Sequence, residues 1–328
     1  MAELGVGVIG FGRVGGGHMT AAQRVAETTL VGMSDVAPER VKLATERFGC
    51  LGYPDYHDLL KRDDVQIVMI GLPHFLHATV AEEAANAGKH VFVEKPMAMD
   101  VDECDRMIAA CEKNHVKLMV GHSQHYNGWN LAAKRLIDSG EIGDVIFLTD
   151  SWYKPLGLES RPAWGMDRAR GGGMLQMNGA HMIDRLRWFA GKKIVAVRGR
   201  VGNDIFRVQA DDNFIGILEF DGGMLATIQH AAYLHGAEHY EAEVVGTRGM
   251  LKVAPYAPNT GLWLGRDGSY QLLEADAGDG MNGELRDLAR AILDDGPPAI
   301  DGAYGREIVQ AMSALEESTR TGREVRFD

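Results

Sequence analysis

Residues 4–15 read LGVGVIGFGRVG, an apolar, β-prone run that ends in three closely spaced glycines. Gly10, Gly12 and Gly15 form the pattern G-x-G-x-x-G, and the chain turns helical in character directly after them. Between a strand and a helix, such glycines allow a tight turn, close approach of a pyrophosphate and close helix packing. The stretch therefore predicts a dinucleotide-binding loop. The residues between its glycines are further predicted cofactor contacts: Phe11, Arg13 and Val14.

Asp35 supports this interpretation, because it ends the next apolar run, TTLVGMSD. It lies about 20 positions after the last glycine, where an acid binds the ribose hydroxyls of the cofactor. A carboxylate there repels the additional phosphate of NADP, so NAD is the expected cofactor. Arg40 is either an exposed helix charge or a residue that softens this preference. The alternative for the whole loop, a glycine-rich turn in a sheet without a nucleotide, leaves Asp35 unexplained.

Apolar runs alternate with helical segments as far as VKLMVGH, residues 116–122. Strands separated by helices of this length pair in parallel, and continuous apolar strands indicate a sheet covered on both faces. The fold class is therefore α/β, with a doubly wound, Rossmann-type domain in residues 1–122. In residues 123–328, successive β-prone segments without long helices between them predict a second α/β domain with an open, mostly antiparallel sheet.

The composition and charge argue against several classes of function. Hydrophobic residues make up 45% and charged residues 24% of the 328 residues, as in ordinary globular proteins. The net charge of −12 argues against a general nucleic-acid binder. No apolar run approaches the ~20 residues that span a membrane, and we expect the start of the sequence to form a strand and not a signal peptide. With only three cysteines, none in a C-x-x-C pair, we expect a cytoplasmic protein that binds neither membranes nor nucleic acid.

Charged residues end one of the buried strands, in HVFVEKP, residues 90–96. In open parallel sheets, ligands bind at the carboxyl ends of the strands. Glu94 is therefore predicted to bind ribose hydroxyls, and Lys95 to contact both cofactor and substrate. A lysine has an ordinary pKa of ~10.4, but burial and the positive nicotinamide ring disfavour its charged form, so Lys95 could serve as general acid/base. The alternative is a surface salt bridge.

The preceding strand ends in GLPHFLHA, which places Pro73 and His77 at the same edge of the predicted sheet. Both are predicted cofactor-binding residues. For His77, capping of the following helix is an equally good interpretation. For His74, an ordinary solvent-facing position is favoured.

At this point the chain resembles the Gfo/Idh/MocA oxidoreductases, a family named for glucose–fructose oxidoreductase and inositol dehydrogenase. The resemblance rests on VIGFGRVG, AGKHVFVEKPMA, VKLMVGH, DSGEIGDV, GGGMLQMNGAHMID, GTRGML and ALEESTRTGREV, and it covers essentially the whole chain. It implies NAD- or NADP-dependent oxidation or reduction of sugars, inositols, dihydrodiols and related compounds. It also implies a substrate pocket on the second sheet, and a last helix, residues 304–321, that packs back on the cofactor domain.

The resemblance makes His181 the second catalytic candidate, because it follows the glycines of GGGMLQMNGAH. In the family's common form an aspartate stands four positions before this histidine, but this chain has Met177 there. Asn178 is adjacent, yet one position turns a helical side chain by ~100°, so it could replace the acid only if the helix start is distorted. Asp184, one turn later, is predicted to orient the ring.

Other predicted substrate contacts depend on position and residue type: His122, Tyr126, Trp152, Arg161, Asn178 and Asp184. Arg161, with Arg168 and Arg170, could bind a carboxylate or pair with surface acids. The histidine spacings do not match a zinc site, so no metal is expected. We expect a small-molecule substrate and a homodimer or homotetramer. Two alternatives to a dehydrogenase are an NAD-dependent glycoside-cleaving enzyme and a nucleotide-binding sensor without catalysis.

Overall fold

The computed structural model describes residues 3–156, 162–256 and 260–327. The chain divides into two units, each with its own sheet. The first unit contains Met1–Ser123 and Asp279–Arg306. The second contains Gln124–Gly278 and Glu307–Asp328.

The first unit contains a six-stranded parallel sheet in the order β3-β2-β1-β4-β5-β6. Its strands are β1 Leu4–Ile9, β2 Thr28–Ser34, β3 Leu51–Tyr53, β4 Ile67–Ile70, β5 His90–Glu94 and β6 Leu118–Gly121. All four residues of β4 and of β6 are buried, as expected for a sheet covered on both faces. This is the predicted Rossmann-type fold.

Five helices connect these strands: α1 Gly15–Arg24, α2 Pro38–Phe48, α3 Tyr56–Leu60, α4 His77–Asn86 and α5 Val101–Lys113. Their ends follow local sequence signals. Helix α2 has proline in its first turn and ends at Gly49, which adopts φ +67°. Helix α5 begins after Asp100, whose side chain accepts a hydrogen bond from the Glu103 N–H. Cys104 and Cys111 are buried in α5, and burial raises the pKa of each thiol to about 12.

The first unit also includes helix α8, Met281–Leu293, and the start of helix α9, Gly302–Thr321. The sequence placed this segment in the second domain. It belongs to the first unit because α8 packs on α1, where a Cβ on Gly17 would lie 2.4 Å from the Met281 sulfur. After α8, the Ile300 carbonyl accepts a hydrogen bond from the Val120 N–H at 2.9 Å, which joins the segment to β6.

The second unit contains a nine-stranded sheet in the order β14-β13-β12-β11-β7-β10-β9-β8-β15. Its strands are β7 Val145–Pro155, β8 Ile194–Gly202, β9 Asn213–Phe220, β10 Leu225–Tyr233, β11 His239–Gly246, β12 Met250–Ala254, β13 Gly261–Arg266, β14 Ser269–Leu273 and β15 Val325–Arg326. Only β7 and β10 pair in parallel; the other neighbours are antiparallel. The predicted open, mostly antiparallel sheet is confirmed.

Helices cover one face of this sheet: α6 Gly128–Asp138, α7 Ala180–Ala190 and the later part of α9. Along β9, even-numbered residues are buried and Ile215 and Ile217 on the opposite face are exposed. A π-helical turn, Leu175–Gly179, leads directly into α7. The α7 side of the sheet is therefore the buried side, and the opposite face is exposed at β9.

Candidate functional site

The glycine loop between β1 and α1 has the geometry that a dinucleotide requires. Gly10 has a φ of +96°, and a Cβ there would lie 2.5 Å from the Gly71 carbonyl oxygen. A Cβ on Gly15 would lie 2.3 Å from the Gly10 oxygen, so side chains are excluded at both positions. A Cβ on Gly12 would meet nothing within 4 Å. Gly12 therefore borders open space, where a pyrophosphate can approach the backbone N–H groups and the start of α1.

Asp35 lies directly after β2 and is bonded to the glycine loop. Its Oδ2 accepts a hydrogen bond from the Phe11 N–H at 2.8 Å, and its Oδ1 accepts one from the Ala37 N–H at 2.9 Å. The Arg40 guanidinium, 54% exposed, lies 3.6 Å from Oδ2. Because a carboxylate offers about four acceptor sites, two backbone bonds leave capacity for ribose hydroxyls. The loop and Asp35 thus fit the adenosine and pyrophosphate part of NAD.

His77, at the start of α4, connects the ends of two strands. Its Nδ1 lies 2.9 Å from the Pro96 carbonyl oxygen and its Nε2 lies 3.0 Å from the Leu72 carbonyl oxygen. Complete burial lowers the pKa of His77, so the ring is neutral at pH 7 and donates one of these hydrogen bonds at a time. Pro73 follows Leu72 at the same strand end, and His74 is also buried, not solvent-facing as predicted.

Glu94 ends β5 and contacts a histidine that the sequence analysis did not identify. Its Oε1 lies 3.1 Å from Nε2 of the fully buried His18, and its Oε2 accepts a hydrogen bond from the Lys95 N–H at 3.2 Å. Burial by itself raises the pKa of Glu94, but the contact with His18 and the nearby Lys95 ammonium outweigh it and lower that pKa. Glu94 is therefore ionised at neutral pH.

Lys95 is half-buried at the carboxyl end of β5, between Glu94 and Pro96. The peptide bond between Lys95 and Pro96 is cis. His18 and His77 fix the residues on either side of Lys95 through Glu94 and the Pro96 carbonyl. The backbone that carries the predicted general acid/base is thus held from both sides.

In the second unit, the helix that carries His181 begins irregularly. The π-helical turn Leu175–Gly179 contains Met177, half-buried, and Asn178, buried. The condition under which Asn178 could replace the absent acid, a distorted helix start, is therefore met. Asn178 Oδ1 accepts a hydrogen bond from the Lys154 ammonium at 3.3 Å, and Asn178 Nδ2 lies 2.7 Å from His230 Nε2.

Asp211, in the loop before β9, stabilises the start of this turn. Its Oδ2 accepts a hydrogen bond from the Leu175 N–H at 2.7 Å. Burial raises the pKa of Asp211 to about 7, although the Leu175 bond opposes the shift. The π-helical turn is therefore held at its first residue by a carboxyl that is partly protonated at neutral pH.

His181 is half-buried, and its ring centroid lies 6.1 Å from that of Trp152, a buried residue of β7. Asp184, predicted to orient His181, has His125 as a partner: its Oδ1 lies 2.8 Å from His125 Nε2. The His125 ring in turn stacks on Trp188 at 4.1 Å. His181 and Trp152 are thus brought together, whereas Asp184 takes part in a buried pair that also anchors His125.

The remaining predicted contacts are divided between the two units. His122 is buried in the first unit with its ring 6.1 Å from that of Tyr304, whereas Tyr126 is half-buried in the second unit. Arg161 lies outside the described residues. The other two arginines of its cluster pair with acids, Arg168 with Glu316 and Arg170 with Asp167. For these two arginines the structural interpretation is supported.

Three functional candidates were not predicted from the sequence: His18, Lys154 and the Asp150–Arg185 pair. Asp150 is completely buried, with Oδ2 2.7 Å from an Arg185 nitrogen, and burial raises its pKa to about 6 against the opposing effect of Arg185. For Lys154, alternation was an available signal, because Asp150, Trp152 and Lys154 share one face of β7. His18 gave a weaker signal, as a polar residue on the inner side of a short helix.

Within the described ranges, no group of three or more histidine, cysteine, aspartate or glutamate side chains is arranged to hold a metal ion. Across the same residues, no helix combines the length and the apolar character that a membrane span requires.

Comparison with known proteins finds a matching family model for each of two parts of the chain. Residues 4–122 match the model for the oxidoreductase family with an NAD-binding Rossmann fold, and residues 130–252 match that for the GFO/IDH/MocA C-terminal domain. Together the two matches cover well over half of the chain.

Individual relatives include the 1-carboxy-3-chloro-3,4-dihydroxycyclo hexa-1,5-diene dehydrogenase of Comamonas testosteroni, 32% identical over 70% of this chain and 58% of that protein. The NADP-dependent D-xylose 1-dehydrogenase of Haloarcula marismortui is 29% identical over 84% of this chain and 78% of the relative. Among solved structures, an aldose-aldose oxidoreductase from Caulobacter crescentus complexed with glycerol has a TM-score of 0.90 and 26% identity, covering 99% of this chain and 100% of its own.

Proposed function

The chain belongs to the Gfo/Idh/MocA oxidoreductase family, and we propose that it is an NAD-dependent dehydrogenase of a secondary alcohol in a sugar, cyclitol or diol. The observation that carries the proposal is in the first unit. There, an open glycine loop bonded to Asp35 accompanies a lysine held at the end of another inner strand of the same sheet. A protein that only sensed a nucleotide would have no use for a positioned proton acceptor.

The substrate class follows from chemistry that the relatives share. The xylose dehydrogenase and the aldose-aldose oxidoreductase are named for sugars, and the Comamonas enzyme for a dihydroxylated ring. All three names describe compounds with neighbouring hydroxyl groups. By analogy with these relatives, the proposed substrate of this chain also carries several hydroxyl groups.

NAD, when bound, supplies the hydride acceptor. As the carbinol C–H bond breaks and C=O forms, Lys95 takes the hydroxyl proton on Nζ, and it returns that proton in the reverse reaction. His18, Glu94 and His77 act through the backbone around Lys95 and are positioning residues. For the second unit, taken by itself, His181 is the proposed substrate-binding residue, and Asn178 takes the place of the acid that the family usually carries.

The experiment that tests this proposal measures NADH formation by the purified protein across sugars, inositols, dihydrodiols and hydroxy acids. We expect steady NADH production with at least one polyhydroxylated alcohol. Tight NAD binding without NADH production from any alcohol would contradict the proposal and favour redox-neutral glycoside cleavage.

We also propose that NAD is preferred over NADP because Asp35 repels a phosphate on the ribose. Asp35→Asn keeps a hydrogen-bond acceptor for the loop but removes the charge. The ratio of its kcat/KM with NADP to its kcat/KM with NAD should rise about tenfold or more over that of the wild type, equivalent to ~1.4 kcal/mol. Initial rates with both cofactors give this ratio.

Arg40 provides the control for that change, since it lies beside Asp35. In the double variant Asp35→Asn/Arg40→Met, much of the gained NADP use should be lost, because the guanidinium that would bind the phosphate is absent. A wild-type protein that used NADP as well as NAD would refute the proposed role of Asp35.

A homodimer or homotetramer is the assembly that we propose, formed through the face of the second sheet opposite α7. Ile215 and Ile217 on this face are 55% and 45% exposed, and apolar groups so placed favour association. The double variant Ile215→Glu/Ile217→Glu should reduce the molar mass found by light scattering to that of a monomer. A wild-type protein that is already monomeric would exclude this assembly.

A further inference from the structure

We propose that Tyr256 binds the substrate by donating its phenolic proton to a hydroxyl oxygen, and that Gln124 and Asn130 fix the direction of that hydrogen bond. All three residues belong to the second unit. The inference rests on the proposed dehydrogenase function and extends it, because it names one hydrogen bond that selects among hydroxyl-rich substrates. Tyr256 is then a specificity-determining residue, and the two amides are positioning residues.

The place of Tyr256 in the second unit is the first argument. Tyr256 follows β12 and packs against two aromatic residues that face each other on neighbouring strands, Trp152 of β7 and Tyr240 of β11. Its ring centre lies 6.0 Å from that of Trp152 and 5.7 Å from that of Tyr240. The His181 ring lies 6.1 Å from the same indole. Tyr256 therefore belongs to the aromatic cluster that also includes the proposed substrate-binding histidine.

The exposure of these rings shows which of them a ligand can reach. Trp152 is 8% exposed, whereas Tyr256 is 39% exposed although two rings hold it in place. A side chain that is already ordered loses little further freedom when a ligand binds to it. Tyr256 can therefore contact a substrate while Trp152 supports it from below.

The direction of the hydrogen bonds that lead to Tyr256 is the second argument. Asn130, buried in α6, donates from Nδ2 to the Gln124 carbonyl oxygen at 3.0 Å and to the Gln124 side-chain oxygen Oε1 at 2.8 Å. A backbone carbonyl can only accept, so it fixes the orientation of the Asn130 amide. Because Gln124 Oε1 accepts from Asn130, the other end of the Gln124 amide, Nε2, donates to the Tyr256 hydroxyl.

This polarity determines where the phenolic proton points. A phenol has one proton to donate, and the Tyr256 oxygen already acts as acceptor toward Gln124. The proton is therefore directed away from Gln124. Within the part of the chain that the structure describes, the Tyr256 hydroxyl donates to no acceptor. The second unit thus presents a hydrogen-bond donor of fixed direction on an accessible ring.

The chemistry of the ligand follows from this donor. It requires an oxygen that accepts a hydrogen bond, which each hydroxyl of a sugar, cyclitol or diol supplies. A site built to hydrogen-bond a substrate hydroxyl discriminates against the analogue that lacks it, because the protein group is then left unpaired. We therefore expect Tyr256 to recognise one particular hydroxyl of the substrate and not the ring as a whole.

The test combines Tyr256→Phe, which removes only the hydroxyl, with substrates that each lack one hydroxyl. The compounds are D-glucose, D-xylose and myo-inositol, each with its monodeoxy analogues. For at least one parent compound, Tyr256→Phe should lower kcat/KM about three- to tenfold, mainly through KM, as expected for one neutral hydrogen bond. For the analogue that lacks the recognised hydroxyl, wild type and variant should give equal values. The matched control is Tyr270→Phe, a 47% exposed tyrosine of β14, which should change none of these values.

Gln124→Glu tests the direction of the hydrogen bond, because it alters the polarity of the side chain with almost no change in its shape. A carboxylate cannot donate, so the Tyr256 proton would turn toward it and away from the substrate. We expect Gln124→Glu to lose the discrimination between parent compound and analogue, as Tyr256→Phe does. Discrimination equal to that of the wild type would refute the role of the two amides.

Equal losses on the parent compounds and on all analogues in Tyr256→Phe, or no loss on any compound, would overturn the inference while the dehydrogenase proposal stands. If no compound yields NADH, the dehydrogenase proposal fails for this panel, and calorimetric titration of the same compounds tests the inference without turnover. Weaker binding of a parent compound to Tyr256→Phe, with unchanged binding of one of its analogues, supports the inference. Any other result, including no binding to the wild type, refutes it.

Discussion

Lys95→Met is expected to lower kcat by about 10²–10⁴, the usual contribution of a general acid/base, while the affinity for NAD stays close to that of the wild type. Methionine keeps an unbranched side chain, one atom shorter than that of lysine, but cannot accept the hydroxyl proton. The backbone around position 95 is held independently, by Glu94 with His18 and by the Pro96 carbonyl with His77. Stopped-flow measurement of the first turnover, with calorimetric titration of NAD, separates the chemical step from cofactor binding.

Lys117→Met is the matched control, because Lys117 precedes β6 in the same unit and forms an ion pair with the highly exposed Asp295. Such surface pairs contribute about 0–1 kcal/mol, so both turnover and melting temperature should be nearly unchanged. A Lys95→Met protein with normal NAD binding and full turnover would remove Lys95 from the mechanism. Loss of NAD binding in that variant would instead assign the lysine to cofactor binding.

Much of the first unit could be predicted because its signals are local. Five of its strands are continuous apolar runs, and Gly10, Gly12, Gly15 and Asp35 form a motif whose spacing reflects one strand–helix–strand repeat. Strand β3 was missed because it has three residues and Leu51 is exposed, so it has no apolar pattern. The assignment of α8 to the first unit depends on Met281 packing on Gly17, which no local pattern encodes.

The site is predictable only where one segment supplies all its parts. Glu94 and Lys95 were identified from the strand that they end, but His18 comes from α1 and reaches Glu94 only in the folded sheet. Likewise, Asn178 contacts Lys154 of β7 and His230 of β10. Regular helical geometry turned Asn178 away from the usual position of the acid, and the π-helical turn changes that rotation. The spacing of residues along the sequence predicts neither such tertiary contacts nor the irregular turn.

Gly12→Ala should weaken NAD binding and Gly15→Ala should lower stability, although each adds one methyl group to the same loop. At Gly12 the new Cβ meets no protein atom within 4 Å, so the melting temperature should stay near that of the wild type. The methyl group would instead occupy the space where the pyrophosphate approaches the loop. We therefore expect NAD affinity to fall about 10–100-fold, or ~1.4–2.8 kcal/mol, as measured by calorimetric titration.

At Gly15 the added Cβ would lie 2.3 Å from the Gly10 carbonyl oxygen, so the backbone of the turn must move. Overpacking of this kind costs about 1–3 kcal/mol, and a lower melting temperature of the protein without cofactor should reveal it. The contrast makes the assignment testable, because misfolding alone would lower stability in both variants. A Gly12→Ala protein that binds NAD normally would show that the pyrophosphate does not lie against this glycine. If Gly12→Ala instead melts as early as Gly15→Ala, the open space beside Gly12 is absent in solution, and the loop has a different conformation before NAD binds.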